Sequence, residues 1–164
     1  MNETIEKRVV NKLIEKKLTL SLAESCTGGL IASKITSIPG ASAVFVGGIV
    51  TYTNEYKEQV LKVRKTTLEK FTAVSSNVAE EMAMGLKNII KTDIVGSITG
   101  LAGPDGGTDE IPVGRVYICL GSNSSYYVKE LNLEGNRDEI REEAANILLA
   151  EIEKNIDLME GKND

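Results

Sequence analysis

Residues 18–38 read LTLSLAESCTGGLIASKITSI, and this stretch decides the fold. Its first six residues are apolar-rich and short, as suits a buried strand. Glu24-Ser25-Cys26-Thr27-Gly28-Gly29 follow, and the two glycines mark a tight strand-to-helix turn. Residues 30–38 continue as a helix, which Pro39-Gly40 stops.

Working outward, Ile5, Val9, Leu13 and Ile14 recur at helical spacing, so residues 3–17 form an amphipathic helix. Downstream, residues 43–53 are rich in Val, Ile and aromatics and predict a strand. Gly47-Gly48 interrupt it, as a bulge or a close backbone approach. Residues 54–61 predict a short helix capped by Asn54, and residues 67–71 a second one. Asn77 with Glu80 resembles a capping box, and Val78, Met82, Leu86, Ile89 and Ile90 make an apolar stripe over residues 78–90. Residues 93–99 predict a strand, and residues 100–112 a loop dense in Gly, Pro and Asp. Strands 114–121 and 126–133 flank Ser122-Asn123-Ser124-Ser125 as a hairpin, and residues 138–156 close the chain as a helix. Strands alternate with helices early and pair as a hairpin late. The expectation is a single α/β domain over residues 1–164, a three-layer α/β/α sandwich with a mixed central sheet.

Composition narrows the function. The chain has 164 residues, 41% apolar and 26% charged, and a net charge of −5, which argues against a nucleic-acid partner. No apolar run is long enough to span a bilayer, and residues 1–8 lack the apolar core of a signal peptide, so a cytoplasmic protein without a membrane partner is expected. Cys26 and Cys119 lie far apart and suggest reduced thiols. There is no histidine, which removes Ser-His-Asp, Cys-His and His-ligated zinc chemistry within the chain. A hydrolase built from this sequence finds its base among Lys, Tyr, Asp and Glu.

Three segments can carry chemistry. Glu24 to Gly29 set hydroxyls beside free helix N–H groups, which bind anions or stabilise an oxyanion, although a Ser or Thr before a helix is most often a cap. Tyr52 and Lys57 bracket a strand end and the following helical turn. A desolvated lysine accepts a proton from serine, although a lysine on a short helix is ordinarily a solvated charge. Residues 99–108 (TGLAGPDGGT) present glycine amides able to cradle a phosphate, or form a plain turn; they lack the ending of a Walker loop.

Together, AESCTGG (23–29), VTYTNEYK (50–57), AVS (73–75), TGLAGPDGGT (99–108), PVGRV (112–116) and GNRDEIR (135–141) resemble, in order, the CinA C-terminal domain family. Stand-alone members are nicotinamide-nucleotide amidohydrolases. The resemblance implies a serine amidase with Ser25 as nucleophile and Tyr52 and Lys57 as the proton-handling pair; Cys26, beside Ser25, is the rival nucleophile. It implies substrate binding by Thr27, Gly28, Thr99, Gly100, Ala102, Gly103, Gly106, Gly107 and Thr108, with Arg137 and Arg141 reaching the phosphate or pairing with carboxylates. It implies a small-molecule nucleotide substrate, nicotinamide mononucleotide, no cofactor or metal, and a homodimer or higher homo-oligomer. Ile111 and Arg115 depart from the family's usual residues around Pro-Val-Gly, and Arg115 either supplies a cation to the phosphate or faces solvent. A non-catalytic nucleotide-binding module and a competence or DNA-damage factor are the competing expectations.

Overall fold

A computed structural model of the chain describes residues 2–123 and 125–163. The elements run α1 (Ile5–Lys16), β1 (Leu20–Glu24), α2 (Leu30–Thr36), a 3-10 turn (Ala41–Ala43), β2 (Phe45–Val50), α3 (Asn54–Leu61), α4 (Lys65–Phe71), α5 (Ser76–Ile89), β3 (Ile94–Gly100), β4 (Arg115–Ser122), β5 (Ser125–Asn132) and α6 (Arg137–Leu158). The sheet order is β2-β1-β3-β4-β5. β1 pairs in parallel with β2 and β3, whereas β3–β4 and β4–β5 are antiparallel. The sheet is therefore open and mixed, as the sequence predicts.

Helices cover both faces because the strands are apolar on both. All five residues of β1 are buried, the pattern of a central parallel strand. Leu20, Leu22, Ile94, Ile98 and Ile118 join Val9, Leu13, Ile31, Ile35, Leu148 and Ile152 in a core with α1, α2 and α6. On the opposite face Ala23, Val95 and Cys119 pack with Leu61, Leu68, Val78, Met82 and Leu86 of α3, α4 and α5. Gly85 lets α5 approach α3 closely: a Cβ there would lie 1.8 Å from the Leu61 carbonyl oxygen.

Two helix caps differ from the sequence expectation. Thr53, not Asn54, caps α3, its hydroxyl accepting from the Tyr56 N–H at 3.2 Å. Ser75, not Asn77, caps α5, accepting from Val78 N–H at 3.2 Å. In each case the capping residue is the last one in extended backbone, which lets its side chain reach forward to the third helical N–H. The glycine turn behaves as read: Gly28 and Gly29 have φ of +58° and +101°, values that L side chains rarely adopt.

Parallel pairing has one functional consequence. The C-terminal ends of β1, β2 and β3 reach the same edge of the sheet, where open α/β folds place ligands. Ser25 follows β1, Thr51 and Tyr52 follow β2, and Leu101 follows β3.

Candidate active site

Ser25 on one segment and Tyr52 and Lys57 on another line one pocket of about 260 Å³. Thr99, Gly100, Ala102, Gly103 and Arg137 line it too. Larger hollows lie on the outer helical surfaces, but the one between α3 and α5, about 350 Å³, is lined by Arg64 and Glu81, which pair with each other.

The pocket floor is a Ser–Lys pair. Lys57 Nζ lies 3.0 Å from Ser25 Oγ and donates to the Thr51 carbonyl oxygen at 3.0 Å. Ser25 is 6% exposed and Lys57 1%, unusual for a lysine that has no carboxylate partner among the described residues. Burial lowers the Lys57 pKa from its ordinary value, opposed by the neighbouring Cys26 thiol. A lysine desolvated in this way can accept a proton from a neighbouring hydroxyl. Its placement follows from α3: capped by Thr53, the helix turns the fourth helical residue back toward the sheet edge, so Lys57 is one of its two buried residues.

Cys26, beside Ser25, is a poor thiolate. Burial pushes its thiol up to about 11, against the smaller opposing pull of its own backbone N–H, Arg141 and Lys57. At neutral pH it is a thiol packed in the core.

Tyr52 stands at the mouth, 58% exposed. Its hydroxyl accepts from Arg137 Nη2 at 2.8 Å, while Arg137 Nη1 donates to the Gly103 carbonyl oxygen at 2.6 Å. Arg137 thus joins the phenol to the glycine loop. Among the described residues, the Tyr52 hydroxyl makes no hydrogen bond to Ser25 or Lys57.

Most other residues named from the sequence sit elsewhere. Thr27 is fully buried and donates to Glu24 Oε1 at 2.6 Å. The Gly28 N–H is spent on the Ser25 carbonyl oxygen at 3.0 Å. Gly106, Gly107 and Thr108 do not line the pocket; Thr108 closes its own loop with Ile111 at 2.8 Å. Arg141 donates to the carbonyl oxygens of Cys26 and Thr27 at 3.1 and 2.7 Å. Among the described residues, neither Arg137 nor Arg141 pairs with a carboxylate. Arg115 lies along the antiparallel half of the sheet, donating to Asn132 Oδ1 at 2.6 Å and standing 3.7 Å from Glu130. Thr99 lines the pocket while donating to the Ala73 carbonyl oxygen at 2.8 Å.

Asn54, Ala73 and Val74 also line the pocket, not named as site residues from the sequence, as do Leu101 and Asp105 of the glycine-rich segment expected to hold the nucleotide. Glu24 is a second omission. It is 2% exposed, and a carboxylate directly ahead of a glycine turn and helix start is the signal that marks it.

Comparison with known proteins places the fold. The CinA-like protein of Kosmotoga olearia is 54% identical over 143 residues, 87% of this chain and 35% of that protein. A competence-damage inducible protein of Acetivibrio thermocellus is 51% identical over 140 residues, 85% of this chain and 34% of its own length. The chain thus spans about a third of the length of these curated relatives. The crystal structure of the competence/damage-inducible protein of Agrobacterium tumefaciens superposes with a TM-score of 0.89 at 35% identity, covering 96% of this chain and 99% of that one. A CinA-superfamily protein of Klebsiella pneumoniae gives 0.91 at 30% identity, covering 94% and 97%. The family model described as the CinA C-terminal domain matches residues 2–156, and the chain belongs to that family.

Proposed function

We propose that the chain is a serine amidohydrolase that converts nicotinamide mononucleotide to nicotinic acid mononucleotide and ammonia. The observation that carries this reading is the 3.0 Å contact between the buried Lys57 amine and the Ser25 hydroxyl, in a chain without histidine. The substrate comes from the motif resemblance.

The neutral amine of Lys57 accepts the Ser25 proton as Oγ attacks the carboxamide carbon. The Thr51 carbonyl oxygen takes one amine N–H, which helps aim the nitrogen lone pair at Ser25. The carbonyl oxygen gains negative charge and draws on the N–H groups of Cys26 and Thr27, because that of Gly28 is engaged. The ammonium of Lys57 returns its proton to the amide nitrogen as the C–N bond breaks, releasing ammonia and leaving an ester on Ser25. Water then attacks the ester, giving its proton to Lys57, which passes it to the departing Ser25 oxygen.

Tyr52 takes a binding part in this scheme. Its bond to Arg137 favours a rim that holds substrate over a phenol that carries the proton.

Ammonia release from nicotinamide mononucleotide tests the proposal. Ser25→Ala abolishes turnover, and Cys26→Ser preserves it. Full activity in Ser25→Ala overturns the serine mechanism. Nucleotide binding by calorimetry without ammonia release points instead to a non-catalytic binding module.

A further inference from the structure

We infer that Glu24 and Arg141 are positioning residues that hold the nucleophile's turn so that only the Cys26 and Thr27 N–H groups remain to meet a developing negative charge. The inference rests on the proposed role of Ser25 and assigns a place to two charged side chains that do not line the pocket.

The case is an accounting of N–H groups over residues 25–32. That of Ser25 donates to the Ile98 carbonyl oxygen, that of Gly28 to Ser25, and that of Leu30 to Thr27, at 3.1, 3.0 and 3.0 Å. Those of Gly29 and Ile31 donate to Glu24 Oε1 at 3.2 and 3.0 Å, and that of Ala32 to Glu24 Oε2 at 3.0 Å. Only the Cys26 and Thr27 N–H groups have no acceptor in another described residue. Cys26 is 7% exposed and Thr27 fully buried, so unspent donors there are costly unless something uses them.

The two charged side chains grip opposite polarities of the backbone. The Glu24 carboxylate takes N–H donors from the first turn of α2 and the Thr27 hydroxyl. Without it, the first-turn donors of α2 would stay open and compete for the negative charge. The Arg141 guanidinium takes the carbonyl oxygens of Cys26 and Thr27, the two residues whose N–H groups are left. The Cys26 carbonyl shares its peptide plane with the Thr27 N–H, so holding it fixes that donor, while the plane of the Cys26 N–H is held through the Ser25 carbonyl oxygen, which accepts from the Gly28 N–H at 3.0 Å. Glu24 also accepts the Thr51 N–H on its own carbonyl oxygen at 2.9 Å, tying the Ser25 turn to the segment that orients Lys57.

The test compares wild type with Glu24→Gln, Arg141→Gln and Arg141→Lys in two assays, with thermal midpoints recorded. One assay is steady-state ammonia release from nicotinamide mononucleotide. The other is labelling by a fluorophosphonate, in which Ser25 Oγ displaces fluoride from phosphorus and loses its proton, without needing the native substrate. The expected result is a kcat lowered about 10²-fold or more with KM within about threefold, as for a lost oxyanion donor, and labelling slowed in parallel. Arg141→Lys recovers part of the Arg141→Gln loss, because an ammonium still donates to carbonyls. A rise in KM for Arg141→Gln with labelling at the wild-type rate makes Arg141 a substrate ligand and overturns the inference. A lowered midpoint with both rates unchanged below it makes the pair merely structural and also overturns it. If wild type neither releases ammonia nor labels, the nucleophile assignment itself fails and the inference falls with it. Labelling of wild type without ammonia release faults only the substrate, and the labelling rates of the variants then decide the inference.

Discussion

Lys57 Nζ and Ser25 Oγ sit 3.0 Å apart, and neither side chain has a carboxylate neighbour within hydrogen-bonding distance among the described residues. The lysine's proton is therefore held by one hydroxyl and one carbonyl, both neutral, against the cost of burial. Activity is predicted to rise with pH along a limb set by Lys57, at a pH below the ordinary lysine value, because only the neutral amine acts as base. Lys57→Arg stays protonated and is predicted to lose activity by about 10²–10⁴-fold, the usual worth of a general base. A pH–rate profile of ammonia release checks both.

The same residue links stability to pH. A lysine whose pKa is lowered on folding binds fewer protons in the folded state, so its contribution is complete above the ordinary lysine value. It is lost as the pH falls through the lowered one. Lys57→Met removes that dependence. Thermal midpoints measured across pH are predicted to show the variant gaining on wild type as the pH falls through this window.

Cys26 offers a control on the nucleophile. With its thiol pushed up to about 11 and its side chain in the core, it is predicted to resist iodoacetamide at pH 7–8 in the native protein and to react once unfolded. Mass spectrometry of labelled peptides reads this directly.

At the pocket mouth, Tyr52→Phe removes the hydroxyl that accepts from Arg137 and leaves the Ser–Lys contact untouched. Its predicted effect is a KM increase, with kcat reduced less than about 10-fold, below the usual worth of a proton-transfer group. A much larger fall in kcat with unchanged KM would return Tyr52 to a proton-carrying part.

Gly85 sets the packing behind Lys57. A Cβ there meets the Leu61 carbonyl oxygen at 1.8 Å, and Leu61 ends the helix that carries Lys57. Gly85→Ala is predicted to destabilise the fold by about 1–3 kcal/mol, the usual cost of overpacking. Urea unfolding measures it, and an unchanged midpoint contradicts the packing.

Legible in the sequence were the strand–glycine turn–helix unit, the placing of Ser25 on it, the α5 stripe up to Leu86 (Ile89 is exposed), the late hairpin, and the absence of histidine as a base. Each of these depends on near neighbours: apolar periodicity, positive φ at Gly28 and Gly29, and residue inventory. Capping was less legible, because Thr53 and Asn54, like Ser75 and Asn77, all carry side chains able to cap, and the backbone's exit from extended geometry selects among them. Only the tertiary structure decided that Lys57 is buried against Ser25 and that Tyr52 turns to Arg137. The same holds for Arg141, which grips backbone carbonyls where the motif alone left a phosphate or a carboxylate open. Those outcomes turn on strand pairing, parallel for β1 with β2 and β3 and twice antiparallel from β3 to β5, which brings segments 32 and 85 residues apart to one sheet edge, and on desolvation there, which no local stretch of sequence encodes.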